Sequence, residues 1–312
     1  MKKILFATTA LVASAGMAAA DVSFGGYARY GVDYNDGRAA EETRIESRFR
    51  LIVTATTESD NGLNFGAQMR YQANEAGSTY SGTSGFNNPR FWVSTGGLEV
   101  SLGHVQGAFE FMPGIYAGSV GLTGLGYANV AYNYAADFYT SGAQGREGFD
   151  IKYSAGDFSA HLSHSLEQVT YGPNGKTSGG PTTARTALHL AYSFGDYNAA
   201  IAFQDSDVVG DTEWALTAGG AFGPANLTLQ IANNGNNTPA DAMKYGIAAS
   251  FDVGAATSVS GYINHDEALP GGGDENMGIG VVHDLGGGAS IRAGLADTGG
   301  TTRADAGVLF SF

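Results

Sequence analysis

The sequence lacks cysteine and is poor in proline and in basic residues. With no cysteine in 312 residues, neither a disulfide framework nor a thiolate metal site is available to the fold. Seven prolines stand against 48 glycines, and aromatic residues make up 11% of the chain, which is unlike a helical protein. The 16 basic residues are outnumbered by 30 acidic ones. This argues against nucleic acid as a partner, because phosphate binding needs clustered lysines and arginines.

Long apolar runs are also missing, apart from a short one at the N-terminus. After residue 20, no stretch approaches the uninterrupted run of about 18 apolar residues that a membrane-spanning helix requires. At the N-terminus, two lysines precede an apolar stretch over residues 4–17, and three alanines follow it. This order is typical of a secretory signal peptide, and the stretch is short for a membrane anchor. We therefore predict a signal peptide over residues 1–20 and a mature chain over residues 21–312.

The chain contains instead a regular alternation of apolar and polar residues, which is clearest in residues 43–56. One parity there holds Ile45, Ser47, Phe49, Leu51, Val53 and Ala55, and the other holds Arg44, Glu46, Arg48, Arg50, Thr54 and Thr56, with Ile52 as an exception. Successive side chains of a strand point to opposite faces, so one face is apolar and the other carries three arginines. In a soluble sandwich the apolar face would meet a core, and in a membrane barrel it would meet lipid while the polar face lines water. Periodicity alone does not separate the two.

Sixteen such segments follow one another between residues 22 and 312, and tight turns alternate with longer polar connections. The tight turns lie at residues 96–97, 156–157, 195–196, 223–224 and 286–288, and the longer connections include 166–186, 204–212, 232–243 and 265–276. Aromatic residues near strand ends, typical of a membrane-interface girdle, are Phe194, Tyr197, Phe222, Phe251 and Phe312. The even number and the alternating connections predict an all-β fold, a 16-stranded antiparallel transmembrane β-barrel. A soluble all-β protein is the alternative.

One segment, residues 105–147, interrupts this pattern. It shows weak alternation and is rich in glycine and in aromatic residues. A loop of this length is uncommon in a compact domain and is usually functional. Its aromatic side chains need burial, and the interior of the barrel is the available place.

Several stretches, in this order and spacing, resemble one known family. They are Val22–Gly31, Ser47–Arg50, Gly62–Arg70, Phe91–Ser94, Leu98–Gly103 and Val308–Phe312. The chain resembles the general diffusion porins, in particular the 16-stranded trimeric type of photosynthetic and related alphaproteobacteria (Rhodobacter-type), over essentially the whole mature chain. The resemblance implies a homotrimer in the outer membrane of a Gram-negative bacterium, in contact with lipid and lipopolysaccharide. It also implies that the barrel assembly machinery recognises Phe312.

The resemblance further implies a pore constriction. In such porins the third loop, here residues 105–147, folds into the lumen and faces basic residues on the wall. The residues that fit this constriction are Arg29, Arg48, Arg50 and Arg70 on the wall and Glu110 on the loop. Weaker pore-lining candidates are Arg44, Glu46, Arg90 and Glu99. The family's loop usually carries several acids near this point, whereas this loop has Glu110 and then Asp137 and Glu147 much later.

The predicted function is passive diffusion of ions and small hydrophilic solutes through a water-filled channel whose charge biases which solutes pass. One alternative is a plugged barrel that serves structure or adhesion. A less favoured alternative is a barrel hydrolase, but the sequence contains no nucleophile elbow and no His-Glu zinc helix, so we predict no enzyme activity. Ion preference stays open at this point, because the net charge of −14 favours cations and the arginines favour anions.

We predict that the function requires no cofactor. Acidic residues of the long connections could bind Ca²⁺ through oxygen ligands, although solvated loops are the simpler interpretation. These residues are Asp205, Asp207, Asp211, Asp266, Glu267, Asp274 and Glu275.

Overall fold

The computed structural model describes residues 21–74, 83–125, 136–167, 183–206, 209–235, 241–268 and 274–312. The predicted signal peptide, residues 1–20, lies outside these described residues. The regular structure in the described part is entirely β, in 17 strand segments. Within the same residues, no helix has the length and apolar character needed to cross a membrane.

The strands follow the predicted segments closely. The first nine are β1 (Asp21–Asn35), β2 (Thr43–Glu58), β3 (Asn64–Asn74), β4 (Thr83–Phe86), β5 (Arg90–Thr95), β6 (Leu98–His104), β7 (Glu147–Ala155), β8 (Phe158–Ser165) and β9 (Arg185–Phe194). The others are β10 (Tyr197–Ser206), β11 (Val209–Phe222), β12 (Ala225–Asn233), β13 (Met243–Gly254), β14 (Thr257–Asp266), β15 (Glu275–Gly286), β16 (Ala289–Thr298) and β17 (Thr301–Ser311). Neighbouring strands pair antiparallel, and β1 pairs with both β2 and β17, which closes the sheet into a barrel.

The 17 segments form the 16 strands of the barrel, as predicted, because β4 and β5 are two halves of one barrel strand. Both pair with β3, and residues 87–89 separate them. Pro89 has no N–H to donate to a ladder. Asn87 bridges the gap, since its side-chain oxygen accepts a hydrogen bond from the Arg70 N–H at 2.7 Å and its own N–H donates to the Arg70 carbonyl at 3.0 Å. The ladder is thereby kept continuous across the break.

The two faces of the barrel agree with the predicted parity. Ile45 and Phe24, on the apolar parity, are 73% and 67% exposed on the outer surface of the isolated chain. Arg29 and Asp305, on the polar parity, are 8% and 4% exposed, because they point into the barrel. Apolar side chains on the outside and polar ones inside are the arrangement that lipid outside and water inside would stabilise.

The connections separate into two rims. Six two-residue turns, at residues 96–97, 156–157, 195–196, 223–224, 255–256 and 287–288, lie on the rim that we call the short-turn rim. The opposite, long-loop rim carries the connections 36–42, 105–146 and 166–184. The predicted loop over residues 204–212 was wrong: β10 extends to Ser206 and β11 begins at Val209, so the hairpin continues through most of that polar segment.

Aromatic side chains stack along the short-turn rim. The Tyr197 ring lies 5.8 Å from that of Phe194 and 5.3 Å from that of Phe222. The C-terminal Phe312 stacks on Phe49 at 5.5 Å, and its backbone exchanges two hydrogen bonds with Gly26 of β1. Aromatic side chains near the ends of barrel strands are typical of the boundary between lipid and water.

Candidate functional site

We call the connection between β6 and β7, residues 105–146, the inner loop. Its described parts, residues 105–125 and 136–146, lie inside the barrel. In the first part, Phe109 and Leu125 are completely buried, and Ile115 is 1% exposed. Burial of this degree inside a barrel requires contact with the inner wall.

The first half of the inner loop is hydrogen-bonded to the wall at β8, β9 and β11. The Ala108 N–H donates to Ser163 Oγ at 2.8 Å, and His189 Nδ1 donates to the Ala108 carbonyl at 2.6 Å. Farther along, Thr217 Oγ1 donates to the Pro113 carbonyl at 2.6 Å. The loop backbone therefore crosses these strands with its polar groups satisfied.

Small residues on the inner wall make room for the apolar side chains of the loop. Phe109, Met112 and Ile115 pack in one cluster against wall alanines. These alanines, all at inward-facing positions of β9 to β12, are Ala187, Ala200, Ala202, Ala215 and Ala232. Each fully buried loop side chain stabilises this arrangement by about 1.5–3 kcal/mol. Alanines at positions where polar residues were expected are the sequence signal that could have revealed this path.

The tip of the inner loop is fixed to β17 and β1. The N–H groups of Leu122 and Thr123 donate to the two Asp305 carboxylate oxygens at 2.8 and 2.7 Å, and Thr123 Oγ1 donates to the same group at 2.7 Å. From the other side, Arg29 Nη1 donates to the Leu122 carbonyl at 3.4 Å. A carboxylate with three donors, two of them backbone N–H groups, is a strong anchor.

Glycine at position 294 of β16 is required by the close approach of the tip. A Cβ at Gly294 would lie 2.7 Å from Gly121 Cα and 3.1 Å from Leu125 Cδ1, and both of these atoms belong to the inner loop. No Cβ contacts as short as the first occur in real structures. The wall is therefore bare where the loop tip rests.

The second described part returns the chain towards β7. Asp137 forms ion pairs at 3.0 Å with both Arg146 and Arg185, and Arg185 also donates a hydrogen bond to it. Tyr139 donates its hydroxyl to Gln68 Oε1 at 3.3 Å. Burial lowers the pKa of Arg146, and the neighbouring Arg185 adds to this effect, because both disfavour its charged form while Asp137 favours it.

Glu110 uses both of its carboxylate oxygens within the inner loop. Oε1 accepts a hydrogen bond from the Tyr116 hydroxyl at 3.0 Å, and Oε2 accepts one from the Tyr139 N–H at 2.7 Å. Burial raises the pKa of Glu110, against the opposing effect of these two hydrogen bonds and of Arg70. Arg70 stacks over the Tyr139 ring at 4.2 Å, so the tyrosine lies between the acid and the wall arginine.

The predicted wall residues Arg29, Arg48, Arg50 and Arg70 come together on β1, β2 and β3, and we call them the arginine cluster. Arg29 and Arg48 are direct cross-strand partners. Cross-strand partners on one face have Cβ atoms about 4.5–5.5 Å apart. Arg29 is neutralised by Glu46, whose carboxylate lies 2.6 Å from its guanidinium.

The other members of the arginine cluster have neutral partners. Arg48 Nε donates to Asn74 Oδ1 at 2.7 Å, and Arg50 Nε donates to Gln72 Oε1 at 2.7 Å. Tyr27, the cross-strand partner of Arg50, accepts a hydrogen bond from Arg48 Nη1 at 3.2 Å. The ion pairs found among the described residues include none with Arg48, Arg50 or Arg70.

The weaker candidates occupy other positions on the inner wall. Arg44 donates to the Ala40 carbonyl at 3.3 Å, near the long-loop rim. Arg90, 5% exposed, binds Glu99 at 2.6 Å and Asp150 at 3.2 Å. This group forms an ion-pair network on β5, β6 and β7, separate from the arginine cluster.

Arg292 on β16 is an inward-facing cation that the sequence analysis did not single out. Its Nε donates to Ser290 Oγ at 3.0 Å. With Tyr27 and Arg29 it lines a cavity of about 300 Å³ between the wall and the loop tip, together with Ser119, Gly121, Leu122, Thr123, Gly124, Ser260, Val282 and Leu309. Its parity on β16 matches that of the arginine cluster, but only the register of the closed sheet brings β16 near β1.

Four of the acidic residues considered for Ca²⁺ lie at the adjoining ends of β14 and β15, and these are Asp266, Glu267, Asp274 and Glu275. Asp266 binds Lys244 at 2.7 Å, Glu267 accepts the Met243 N–H at 2.8 Å, and Glu275 lies 3.7 Å from His265. Asp205 and Asp211 lie in strands, and Asp207 lies outside the described residues. The described part of the chain holds no group of three or more His, Asp or Glu side chains arranged for a metal ion.

Comparisons with known proteins agree with this architecture. The porin of Fuscovulum blasticum is 29% identical over 305 residues, and that of Rhodobacter capsulatus is 29% identical over 322 residues. Each alignment covers 94% of this chain and 100% of the relative. Solved structures of Rhodopseudomonas blastica porin variants superpose with TM-scores of 0.80 and 0.81 at 25% and 24% identity, and they cover 94% of this chain and 100% of theirs.

A family model described as Gram-negative porin matches residues 7–303, nearly the whole sequence. The closed barrel with apolar residues outside and polar residues inside is what such a protein needs to hold water within the outer membrane. The relatives found are channels, which agrees with the predicted passive diffusion. The chain therefore belongs to the Gram-negative porin family and forms an outer-membrane channel for passive diffusion.

Proposed function

We propose that the inner loop narrows the channel and that the arginine cluster makes the narrow part prefer anions. The observation that carries this proposal is the pairing of Arg48 and Arg50 with amide oxygens in place of carboxylates. Because no carboxylate in the described part of the chain neutralises them, their charges act on solutes in the channel. Glu110 is the acid predicted to oppose them, and both of its carboxylate oxygens accept hydrogen bonds from Tyr116 and Tyr139.

The size of the effect follows from Coulomb's law. A unit charge about 7 Å from a monovalent ion in water changes the ion's free energy by about 0.6 kcal/mol. Three unneutralised guanidiniums therefore favour an anion by about 1–2 kcal/mol before screening, and about 1.4 kcal/mol is a factor of ten. Because the Debye length is about 10 Å at 0.1 M salt, the net charge of −14 spread over the whole chain acts less strongly than these nearby groups.

Each remaining candidate has a part in this proposal that its contacts support. Glu46 reduces the contribution of Arg29 through their 2.6 Å ion pair. Glu99 and Arg90 balance each other, and Arg44 acts near the long-loop rim. The arginines at the centre of selectivity are then Arg48, Arg50 and Arg70, with Arg29 and Glu110 as modulators.

We also propose the assembly that the resemblance implies. The chain forms a homotrimer surrounded by lipid and lipopolysaccharide, and the barrel assembly machinery recognises Phe312. The position of Phe312, hydrogen-bonded to Gly26 where β17 meets β1, supports a role in closing the barrel. Crosslinking in native outer membranes, followed by electrophoresis of the unheated protein, would test the trimer.

Single-channel recording of an Arg48→Ala, Arg50→Ala double variant tests the proposed selectivity. In a KCl gradient, we expect the reversal potential to move towards that of a cation-preferring channel, because two positive charges leave the narrow part. Arg44→Ala is the matched control, since it removes the same charge near the rim and is expected to change the reversal potential less. If the double variant keeps the reversal potential of the parent, these arginines do not determine the selectivity of the channel.

A further inference from the structure

We propose that Arg48, Arg50 and Tyr27 form a binding site for small oxyanions, such as phosphate or a carboxylate, which discriminates them from halides. The proposal rests on the proposed anion preference and goes beyond it. Preference by charge alone would not distinguish chloride from an oxyanion of the same charge. The additional claim is that the shape and hydrogen bonding of the two guanidiniums recognise an anion with several oxygens.

The two guanidiniums are held in the same way. In each, Nε donates to a side-chain amide oxygen on β3 at 2.7 Å, from Arg48 to Asn74 and from Arg50 to Gln72. With Nε occupied, the Nη groups of each fork provide the donors that are left for a ligand. Arg48 directs one Nη1 donor to the Tyr27 hydroxyl at 3.2 Å, while its other Nη group has no described partner.

The contacts that hold the two guanidiniums are made between paired strands of the sheet. Asn74 is the cross-strand partner of Arg48, and Gln72 is that of Arg50. The Arg50 guanidinium carbon also lies 5.1 Å from the centre of the Tyr27 ring. An arginine side chain has about 2 kcal/mol of rotamer entropy, so fixing it before the ligand arrives lowers the cost of binding.

The charges around the site favour occupation by an anion. Arg29 lies directly across from Arg48, and the fields of Arg29, Arg48 and Arg70 all act on Arg50. Among the described residues, the only carboxylate ion-paired within this set is Glu46, on Arg29. An anion that bridges Arg48 and Arg50 would relieve the repulsion between them.

Space lies next to the site, beside Tyr27 and Arg29, which are the cross-strand partners of Arg50 and Arg48. Arg48 and Arg50 themselves do not line it. The cavity of about 300 Å³ between the wall and the loop tip is lined by Tyr27, and Arg29 and Arg292 add two further guanidiniums to it. This volume is large enough for several water molecules or for a small oxyanion. The hydroxyl groups of Ser119 and Ser260 also line it.

Forked recognition separates oxyanions from halides. Two N–H groups of one guanidinium match two oxygens of a phosphate or carboxylate, and such paired hydrogen bonds add geometric specificity to charge. A chloride ion offers one centre, and a lysine ammonium behaves as a point charge towards either anion. Replacing both arginines by lysine therefore retains the charge and removes the fork.

The test compares the parent with an Arg48→Lys, Arg50→Lys double variant in planar bilayers, with inorganic phosphate as the probe. Phosphate is added to KCl at constant ionic strength and pH, and the chloride current is recorded. For the parent we expect a saturable decrease of current. For the lysine variant we expect the half-effective phosphate concentration to rise at least five-fold, with the KCl reversal potential unchanged.

Two further variants make the outcome decisive. Asn74→Leu together with Gln72→Met keeps both arginines but removes the oxygens that hold them, and we expect a similar loss of phosphate sensitivity. Arg44→Lys, near the rim, is the matched control and should leave that sensitivity at the parent level. Normal KCl conductance confirms that each variant is folded and inserted.

The outcomes separate the two proposals. A lysine variant with the parent sensitivity to phosphate, or a parent current that does not saturate with phosphate, overturns the oxyanion site and leaves anion preference by charge intact. A parent that prefers cations in KCl contradicts the proposed function. Loss of phosphate sensitivity in the lysine variant at unchanged KCl selectivity supports the oxyanion site.

Discussion

Asp305 on β17 accepts two hydrogen bonds from Thr123 at the tip of the inner loop, one from its N–H and one from its hydroxyl, both at 2.7 Å. The two residues are 182 positions apart in the chain. This contact joins the far end of the loop to the strand next to the arginine cluster. Under the proposed function, the width of the channel at the cluster depends on whether the loop tip stays at β17.

Replacing Asp305 by asparagine tests this dependence. The amide has one oxygen acceptor where the carboxylate has two, and its NH₂ group would face N–H donors of the loop. Losing such buried hydrogen bonds costs about 1–3 kcal/mol. We expect larger and noisier single-channel currents, because the tip leaves the wall for part of the time. Asp252→Asn, at an exposed position, is the control, and equal recordings from both variants would contradict the anchoring role.

A second variant acts on the same contact through the wall. In Gly294→Ala, the added methyl group would overlap Gly121 Cα and crowd Leu125, and the three atoms nearest to it all belong to the loop. We expect a displaced tip and an altered conductance in a barrel that still assembles. Gly254→Ala, whose Cβ would meet nothing within 4 Å, should conduct as the parent does. Identical conductance in the two variants would show that the tip does not rest on β16.

The absence of native cysteine permits a covalent test of the same position. We expect Thr123→Cys and Asp305→Cys, introduced together, to form a disulfide under oxidising conditions, because the two side chains are in contact. The oxidised channel should give quiet currents close to those of the parent, and reduction should raise both the conductance and the noise. Each single cysteine variant is a control that should not respond to reductant. A double variant indifferent to reductant would argue that the tip lies elsewhere.

Glu110 gives the channel a predicted pH dependence. Burial raises its pKa, so it takes up a proton at a higher pH than an ordinary glutamate as the solution is acidified. The folded loop then binds more protons than the unfolded chain, and the stability that protonated Glu110 contributes is lost as the pH rises through the raised pKa. Loss of its negative charge near Arg70 should increase anion preference at acidic pH.

Reversal potentials of the parent and of Glu110→Gln, measured across a pH series, check this prediction. The glutamine variant should show the stronger anion preference already at neutral pH and should lack the acid-induced step. Glu267→Gln, far from the cluster in a connection of the long-loop rim, should keep the parent profile. A parent-like step in the Glu110→Gln variant would assign the titration to another group.

The strand parity read from the sequence assigns the arginines of β1 to β3 to the polar face, because a period of two leaves only one choice of face for each strand, and Arg29 is 8% exposed in the structure. The break at Asn87 was not predicted. Phe86 and Phe91 both face outward although they differ in parity, so the register with β3 shifts by one residue between β4 and β5, and a strict period of two does not reveal such a shift. The hairpin at Ser206 was also missed, because its polar residues resemble a loop when the neighbouring strand is not known.

The path of the inner loop could not be predicted from the sequence. It depends on contacts between distant positions, such as Thr123 with Asp305, and on a row of small wall residues that includes Ala215. A contact between two distant positions has no local signature, and the wall alanines at positions of polar parity indicate only the side of the wall on which the loop packs. The contacts of Glu110 with Tyr116 and Tyr139 could not be predicted, because they are set by the fold of the loop itself.

The zero-current potential of the unmodified channel in a KCl gradient tests the central claim most directly. The neutral partners of Arg48 and Arg50 predict a potential of the sign given by chloride passing more readily than potassium, with a preference that shrinks as the salt concentration rises. A potential of the opposite sign at every salt concentration would contradict an electropositive constriction at the arginine cluster.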